Sequence, residues 1–297
     1  MSATETGLEA GPAAAASPGR GHAWRRAFLT PSGVAGLVLM GVVLLLAALA
    51  VLGLTPRPPA AQDVGRSLLG PSAQAWFGTD QFGRDVFSRV ASGLANSLRV
   101  AVVSVAASGA VGITLGVVAG FFGGVADRLV GMLTNVLFAF PSLLLALALA
   151  ATLERSWVTV SIAIAVVYVP IFARVARGPV LSLRTAEYVV ASRAVGRSRL
   201  STLVEHVVPN LAGILVVQTT LSLSWAILTE ASLSFLGFGT PPPAASLGGM
   251  VYDAQTLAVV APWLLVLPGA ALVVAVVGLN LLGDALRSAL DPRGGGR

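Results

Sequence analysis

The chain has no cysteine and no lysine, only two histidines, and charged side chains at 11% of its 297 residues. Without cysteine there is no disulfide, no thiolate metal site and no cysteine nucleophile. Without lysine there is no Walker A phosphate-binding residue, so the chain carries no P-loop of its own. His22 and His206 lie far apart, which argues against a two-histidine metal site or a Ser/His/Asp constellation. No catalytic residue and no metal ligand set emerges, and the chain is not read as an enzyme.

What is abundant is apolar surface, at 56% of residues. Six segments lack any Asp, Glu, Lys or Arg: 27–56, 100–126, 129–153, 156–173, 207–229 and 254–283. Even the shortest, at a rise of about 1.5 Å per residue, covers roughly 27 Å, close to a hydrocarbon core of about 30 Å. Six transmembrane helices follow, because lipid forces each segment to satisfy its own backbone hydrogen bonds and no segment alternates like a barrel strand. A seventh charge-free stretch, 231–252, contains Pro241, Pro242 and Pro243 and reads as a loop.

Arginine placement sets the orientation. With six spans both ends share a side, and that side holds every arginine except Arg57, Arg66, Arg84, Arg89, Arg99 and Arg155, thirteen of the 19. The asymmetry puts both termini and the strip 174–206 in the cytoplasm of a multi-pass membrane protein. The net charge of +6 is a topology signal, and the dispersed arginines form no basic face for nucleic acid.

Residues 1–23, rich in Ala, Gly, Pro and Ser, read as a disordered tail. Arg25 and Arg26 before the first run resemble a twin-arginine export signal, but the run is too long and apolar for a signal core, and an uncleaved first span is the better account. Beyond it, Gly78, Thr79, Asp80, Gly83, Arg84 and Asp85 read as a turn leading into an amphipathic surface helix, with Asp85 and Arg89 as an i, i+4 pair.

The second run repeats a small residue every four positions, Ser104, Ser108, Gly112, Gly116, Gly120 and Gly124, a packing face for another helix either within the chain or in a neighbouring subunit. Pro141, Pro170, Pro262 and Pro268 are candidate kinks. No ionisable group lies deep in any run, where a proton or ion relay would need one. Glu230 and Asp284 stand at run ends, as interfacial caps or as relay candidates. Energy for any transport must then arrive from outside the chain.

The place to receive it is the strip from Arg174 to His206, with six arginines, Glu187 and Glu205 between two apolar runs. From Leu183 to Val207 its apolar and charged residues suit two short amphipathic helices broken around Gly196. They rest on the membrane interface or dock in a partner's groove; periodicity alone leaves both open.

The residues of this strip resemble the coupling loop of ABC importer permeases, whose pattern is Glu-Ala-Ala, three residues, Gly, and a Pro thirteen further on. Ala191 matches the first Ala, and Gly196 and Pro209 have the required spacing, whereas Val190 and Ser192 replace the Glu and the second Ala; Glu187 lies one helical turn before the missing carboxylate. Gly78 to Arg89, Phe121 to Gly124, Ala139 to Ser142, Leu228 to Gly237 and Asn280 to Pro292 narrow the resemblance to the C-type subunit of the dipeptide, oligopeptide and nickel permeases, over residues 25–293.

The resemblance implies an all-α membrane protein, a type I importer-like bundle of six transmembrane helices with cytoplasmic coupling helices. Its parts would be the tail 1–23, a first transmembrane helix 24–56, an external segment 57–99 with its amphipathic helix, a five-helix core 100–285 that includes the cytoplasmic coupling loop 174–206, and a cytoplasmic tail 286–297. It implies half of a translocation pathway for peptides or related small solutes, nickel complexes included, with Glu187, Ala191, Gly196 and Pro209 contacting the motor. Partners would be a second permease subunit in a heterodimer, two cytoplasmic ATPases that use ATP and Mg, an extracellular or periplasmic solute-binding protein and membrane lipid. The chain itself would bind no cofactor. Asn135, Gln218, Glu230 and Asn280 are candidate pathway residues. The alternative is a secondary transporter or channel that needs no ATPase.

Overall fold

The computed structural model describes residues 28–290; the tail 1–23, the arginines at 20, 25, 26, 293 and 297, and His22 lie outside the described residues. Among the described residues there is no strand, only the isolated bridges Ser72↔Ala75 and Thr79↔Asp85. The helices are α1 (Pro31–Val51), α2 (Val86–Phe122), α3 (Gly124–Phe138), α4 (Ser142–Thr152), α5 (Trp157–Leu183), α6 (Glu187–Ala194), α7 (Arg199–Thr202), α8 (Val208–Phe235), α9 (Leu247–Ala254) and α10 (Trp263–Leu290).

Several of the helices start where a short polar side chain takes over an orphaned backbone N–H. Thr30 accepts from Gly33 with Pro31 as first helical residue, Asp85 from Ser88, Ser156 from Thr159, and Ser246 from Gly249. Among the described residues five helices are long and apolar enough to cross a membrane: α1, α2, α5, α10 and the continuous rod Arg199–Phe235 formed by α7, a π turn over Leu203–Val207, and α8. The bent pair α3 and α4 makes a sixth span if counted as one.

The third run departs from a simple kinked helix, since α3 and α4 meet at 89°. Pro141 has no N–H to continue the ladder and disfavours helical geometry at Phe140, so α3 ends at Phe138 and α4 begins afresh at Ser142. Pro170 and Pro268, by contrast, are accommodated inside α5 and α10, and Pro262 just precedes α10. The expected amphipathic surface helix is also not separate. It is the first turns of α2, whose 37 residues extend for about 55 Å, more than a bilayer requires. In the stretch 231–252, read as loop, Ala231–Phe235 completes α8 and Leu247 onward forms α9; the three prolines confine irregular backbone to residues 236–246.

α2 and α5 form the central pair, α8 packs on both, and α10 lies against α1 and α8. The small-residue stripe makes the first contact possible. A β-carbon on Gly112 would fall 2.5 Å from the Val169 carbonyl oxygen, on Gly116 2.2 Å from that of Ala173, and on Gly120 2.9 Å from Val180 Cγ1. The face is therefore internal to the chain. Gly124 stands apart from it: it opens α3 and has no neighbour within 4 Å of its missing side chain. The main core, with Leu94, Val105, Ile164, Phe172, Ile227 and Leu233, fills the bundle, and a second cluster closes one end.

Candidate functional site

That second cluster positions the charged strip. Val189 on α6 is fully buried with Leu203, Val207 and Leu211 against Val117 and Phe121 of α2 and Ala176 and Val180 of α5. Ser192, one turn on from Val189, is also buried and shares a hydrogen bond with Thr202 Oγ1 at 3.3 Å. The small hydroxyl at Ser192 thus faces inward, fixing how α6 lies on the bundle end.

The opposite face of α6 is exposed. Glu187, Val190 and Ala191, spaced i, i+3 and i+4, lie on one side of the helix, with Glu187 in its first turn. Val195, Leu200 and Val204 continue the exposed apolar surface at 79%, 63% and 56% exposure, beside exposed Arg193, Arg197 and Arg199. Gly196 sits between the two helices with φ +86°, its N–H donating to the Arg193 carbonyl at 2.9 Å. That left-handed turn ends α6 and redirects the chain into α7. Pro209 stands in the first turn of α8 directly after the π turn over Leu203–Val207, so the break in the regular ladder falls where a residue without an N–H enters the rod.

Ionic and aromatic contacts stiffen the elbow. Arg197 pairs with Glu205, whose other oxygen accepts from Ser201 Oγ at 2.8 Å. The Arg193 guanidinium lies 5.0 Å from the Phe121 ring centre. Arg184 donates to the Gly120 carbonyl at 3.0 Å, and Arg177 holds Asp127 in two hydrogen bonds of 2.5 and 2.8 Å. These acidic and carbonyl partners, 50 or more residues away, carry no local signal in the chain.

At the other end of the bundle the segment Gly78–Asp85 is not a surface turn. Thr79, Asp80, Arg84, Asp85 and Arg89 are all buried. Asp80 accepts from the backbone N–H of Phe82 and Arg84 at 2.9 and 3.0 Å and from Arg84 Nε at 2.6 Å, with Arg89 Nε 3.7 Å away. Arg89 therefore meets Asp80 and the Pro59 carbonyl, while Asp85, its expected i, i+4 partner, is committed to capping α2 through Ser88. The carbonyl of Gly78 accepts from Val86, and Thr79 Oγ1 accepts from the Leu69 N–H and donates to the Arg66 carbonyl. At Gly83 (φ +71°) a β-carbon would collide with the Asp63 carbonyl oxygen. The segment is a knot that folds residues 55–85 onto the start of α2 and onto Trp263, whose Nε1 donates to the Thr79 carbonyl at 3.4 Å.

The candidate pathway residues lie on three different helices, α3, α8 and α10. Asn135 is exposed on α3 in a cleft shared with Thr134, Arg174 and Arg177. Gln218 is half-buried on α8 and donates to Ser222 Oγ at 3.1 Å, and Asn280 is half-buried on α10. Glu230 is fully buried near the far end of α8, where Ser97, Ser234 and Ser246 donate to its carboxyl, so it caps no helix end. Asp284 is exposed along α10, which continues past it to Leu290. Among the described residues no group of three His, Asp or Glu side chains is placed to hold a metal, and no buried side-chain nitrogen or oxygen lacks a partner.

A family model for the binding-protein-dependent transport system inner membrane component matches residues 112–294. The dipeptide transport system permease protein DppC of Alkalihalophilus pseudofirmus is 40% identical over 274 residues, covering 91% of this chain and 90% of that protein. The glutathione transport system permease protein GsiD of Pectobacterium atrosepticum is 39% identical over 231 residues, 78% of this chain and 77% of its own. GsiD of Escherichia coli O6:K15:H31 is 41% identical over 224 residues, with 75% and 74% covered.

Proposed function

Since the chain belongs to the family of binding-protein-dependent transport system inner membrane components, we propose that its exposed elbow receives the stroke of separate ATPase subunits and that its bundle converts it into passage of a peptide. The chain is a permease subunit of an ABC importer of the peptide family, embedded in a membrane by several helices, and is not itself an enzyme. ATP hydrolysis belongs to other subunits, in keeping with the absence of lysine and of a P-loop here.

The observation that carries this reading is the two-faced α6. Val189 and Ser192 are buried in the bundle end, while Glu187, Val190, Ala191, Val195 and Leu200 project away from it among arginines. A helix merely lying on lipid would bury its apolar face in the membrane. Here one apolar face is already packed on the protein and a second is offered outward, as a helix seated in a partner's groove requires. Glu187, at the start of α6 and on the face of Val190, takes the place of the carboxylate absent at 190.

The elbow and both termini face the cytoplasm, as the arginine distribution favours. The assembly pairs this chain with a second, related permease, two ATPases using ATP and Mg, and an external solute-binding protein that delivers the substrate. Asn135, Gln218 and Asn280 supply polar groups to the pathway between the two permeases. Peptides are the substrate class, in line with the dipeptide and glutathione permeases it resembles.

The test is reconstitution in proteoliposomes with and without the ATPase subunits. Uptake of a labelled dipeptide that needs both the ATPases and the binding protein is expected; uptake by the permeases alone would overturn the reading.

A further inference from the structure

The elbow and Glu230 sit at opposite ends of one helix. α7 and its π turn run directly into α8 as one rod, and the 28 residues of α8 alone extend about 42 Å. At the elbow end Val207 and Leu211 are fully buried in the cluster that seats α6. At the far end the buried carboxyl of Glu230 is clasped by hydroxyls from three elements: Ser97 of α2 at 2.5 Å, Ser234 of α8 itself at 2.7 Å, and Ser246, the cap of α9, at 3.4 Å.

The backbone around this clasp is equally close. A β-carbon on Gly248 would fall 1.9 Å from the Ala231 carbonyl oxygen, and one on Gly239 1.9 Å from Ser234 Oγ. Asn96, beside Ser97, donates to Thr240 Oγ1 at 3.0 Å. Residues 237–254 are thus fastened at two points, with Pro242, Pro243 and Ala244 exposed between them. A loop without such ties would move as a separate unit of low stability. Tied to a rod through a fully satisfied buried network, it follows the rod.

We propose that Glu230 is a positioning residue for transport: it fastens segment 237–254 to α8, so that displacement begun at the elbow is delivered to the opposite end of the pathway. The proposal rests on the permease reading above.

The test uses the complete importer in proteoliposomes. Glu230→Ala, Glu230→Gln and Ser97→Ala are compared by the ATP hydrolysed per peptide delivered. Because the chain has no cysteine, Ala245→Cys adds a single reporter thiol at a position only 1% exposed; its labelling by a membrane-impermeant maleimide is followed with and without ATP and vanadate. With Glu230 present, labelling should change several-fold on nucleotide trapping. Glu230→Ala should abolish that dependence and raise ATP consumed per peptide about tenfold, the scale of one hydrogen bond lost from a buried network. Ser97→Ala should give a smaller rise, and Glu230→Gln, which keeps a carbonyl acceptor of the same shape, should recover most of the coupling. A Glu230→Ala importer that assembles and keeps both the ratio and the nucleotide-dependent labelling overturns the proposal. If that variant does not assemble, Ser97→Ala decides, and an unchanged ratio overturns it. Uptake by the unmutated chains without ATPases would instead sink the permease reading, an outcome separate from any difference between variants.

Discussion

Gly116 of α2 lies against the backbone of Ala173 on α5, so close that a β-carbon would stand 2.2 Å from the Ala173 carbonyl oxygen. Helices in lipid gain nothing from hydrophobic exclusion between them and associate by close packing, which makes this contact a determinant of the central pair.

Gly116→Val should therefore lower the stability of the purified protein by about 3 kcal/mol or more, at or beyond the upper end of ordinary overpacking, because backbone and not a flexible side chain stands in the way. Gly131→Ala, where nothing lies within 4 Å, should shift stability by less than about 1 kcal/mol and in the favourable direction, as alanine is the better helix former. Thermal unfolding in detergent checks both. Equal midpoints for the two variants would contradict the packing argument.

At Gly196 the constraint is conformational. Its φ is +86°, yet its missing side chain would meet nothing within 4 Å. Any β-carbon pays roughly 1–2 kcal/mol for the left-handed region, and asparagine less than valine. Uptake should fall in the order Gly, Asn, Ala, Val, while the importer still assembles and hydrolyses ATP, since the elbow would be displaced and not unfolded. Parallel measurement of uptake and ATPase rate decides it, and a Gly196→Val importer with normal uptake would count against the coupling role.

Asp80 is the centre of the opposite knot, holding Arg84 with both side chains no more than 10% exposed and Arg89 nearby. Removing one partner of a buried pair leaves the other charge uncompensated, so Asp80→Ala should cost about 3–5 kcal/mol of local stability. The visible consequence should be rapid proteolysis between residues 55 and 85 from the outside of sealed vesicles, with the transmembrane core intact. Unchanged resistance would show that the knot holds without its acid.

Much of the bundle was legible because lipid leaves a charge-free run few options. The helical class, the apolar runs and the family follow from composition and motif spacing, and the break at Gly196 from one glycine between two amphipathic patterns. The right-angle bend at Pro141 was not legible in size, because a proline removes one hydrogen bond but neighbouring helices set the angle. The pairing of Arg89 was misdirected by helical spacing: Asp85 is spent as the cap of α2, and Asp80, five residues further from the helix, turns back to meet the guanidinium.

The chain order of apolar and charged residues determined that this is a membrane-spanning helical protein with a polar strip between two apolar runs, since backbone hydrogen bonding inside lipid is a local requirement that each run meets alone. Only the tertiary structure decided which faces touch. That the glycine stripe of α2 receives α5, that Ser192 turns inward on α6, and that Ser97 reaches Glu230 across 133 residues depend on where separate helices come to rest. Close packing between elements distant in the chain leaves no periodicity in either of them to announce it.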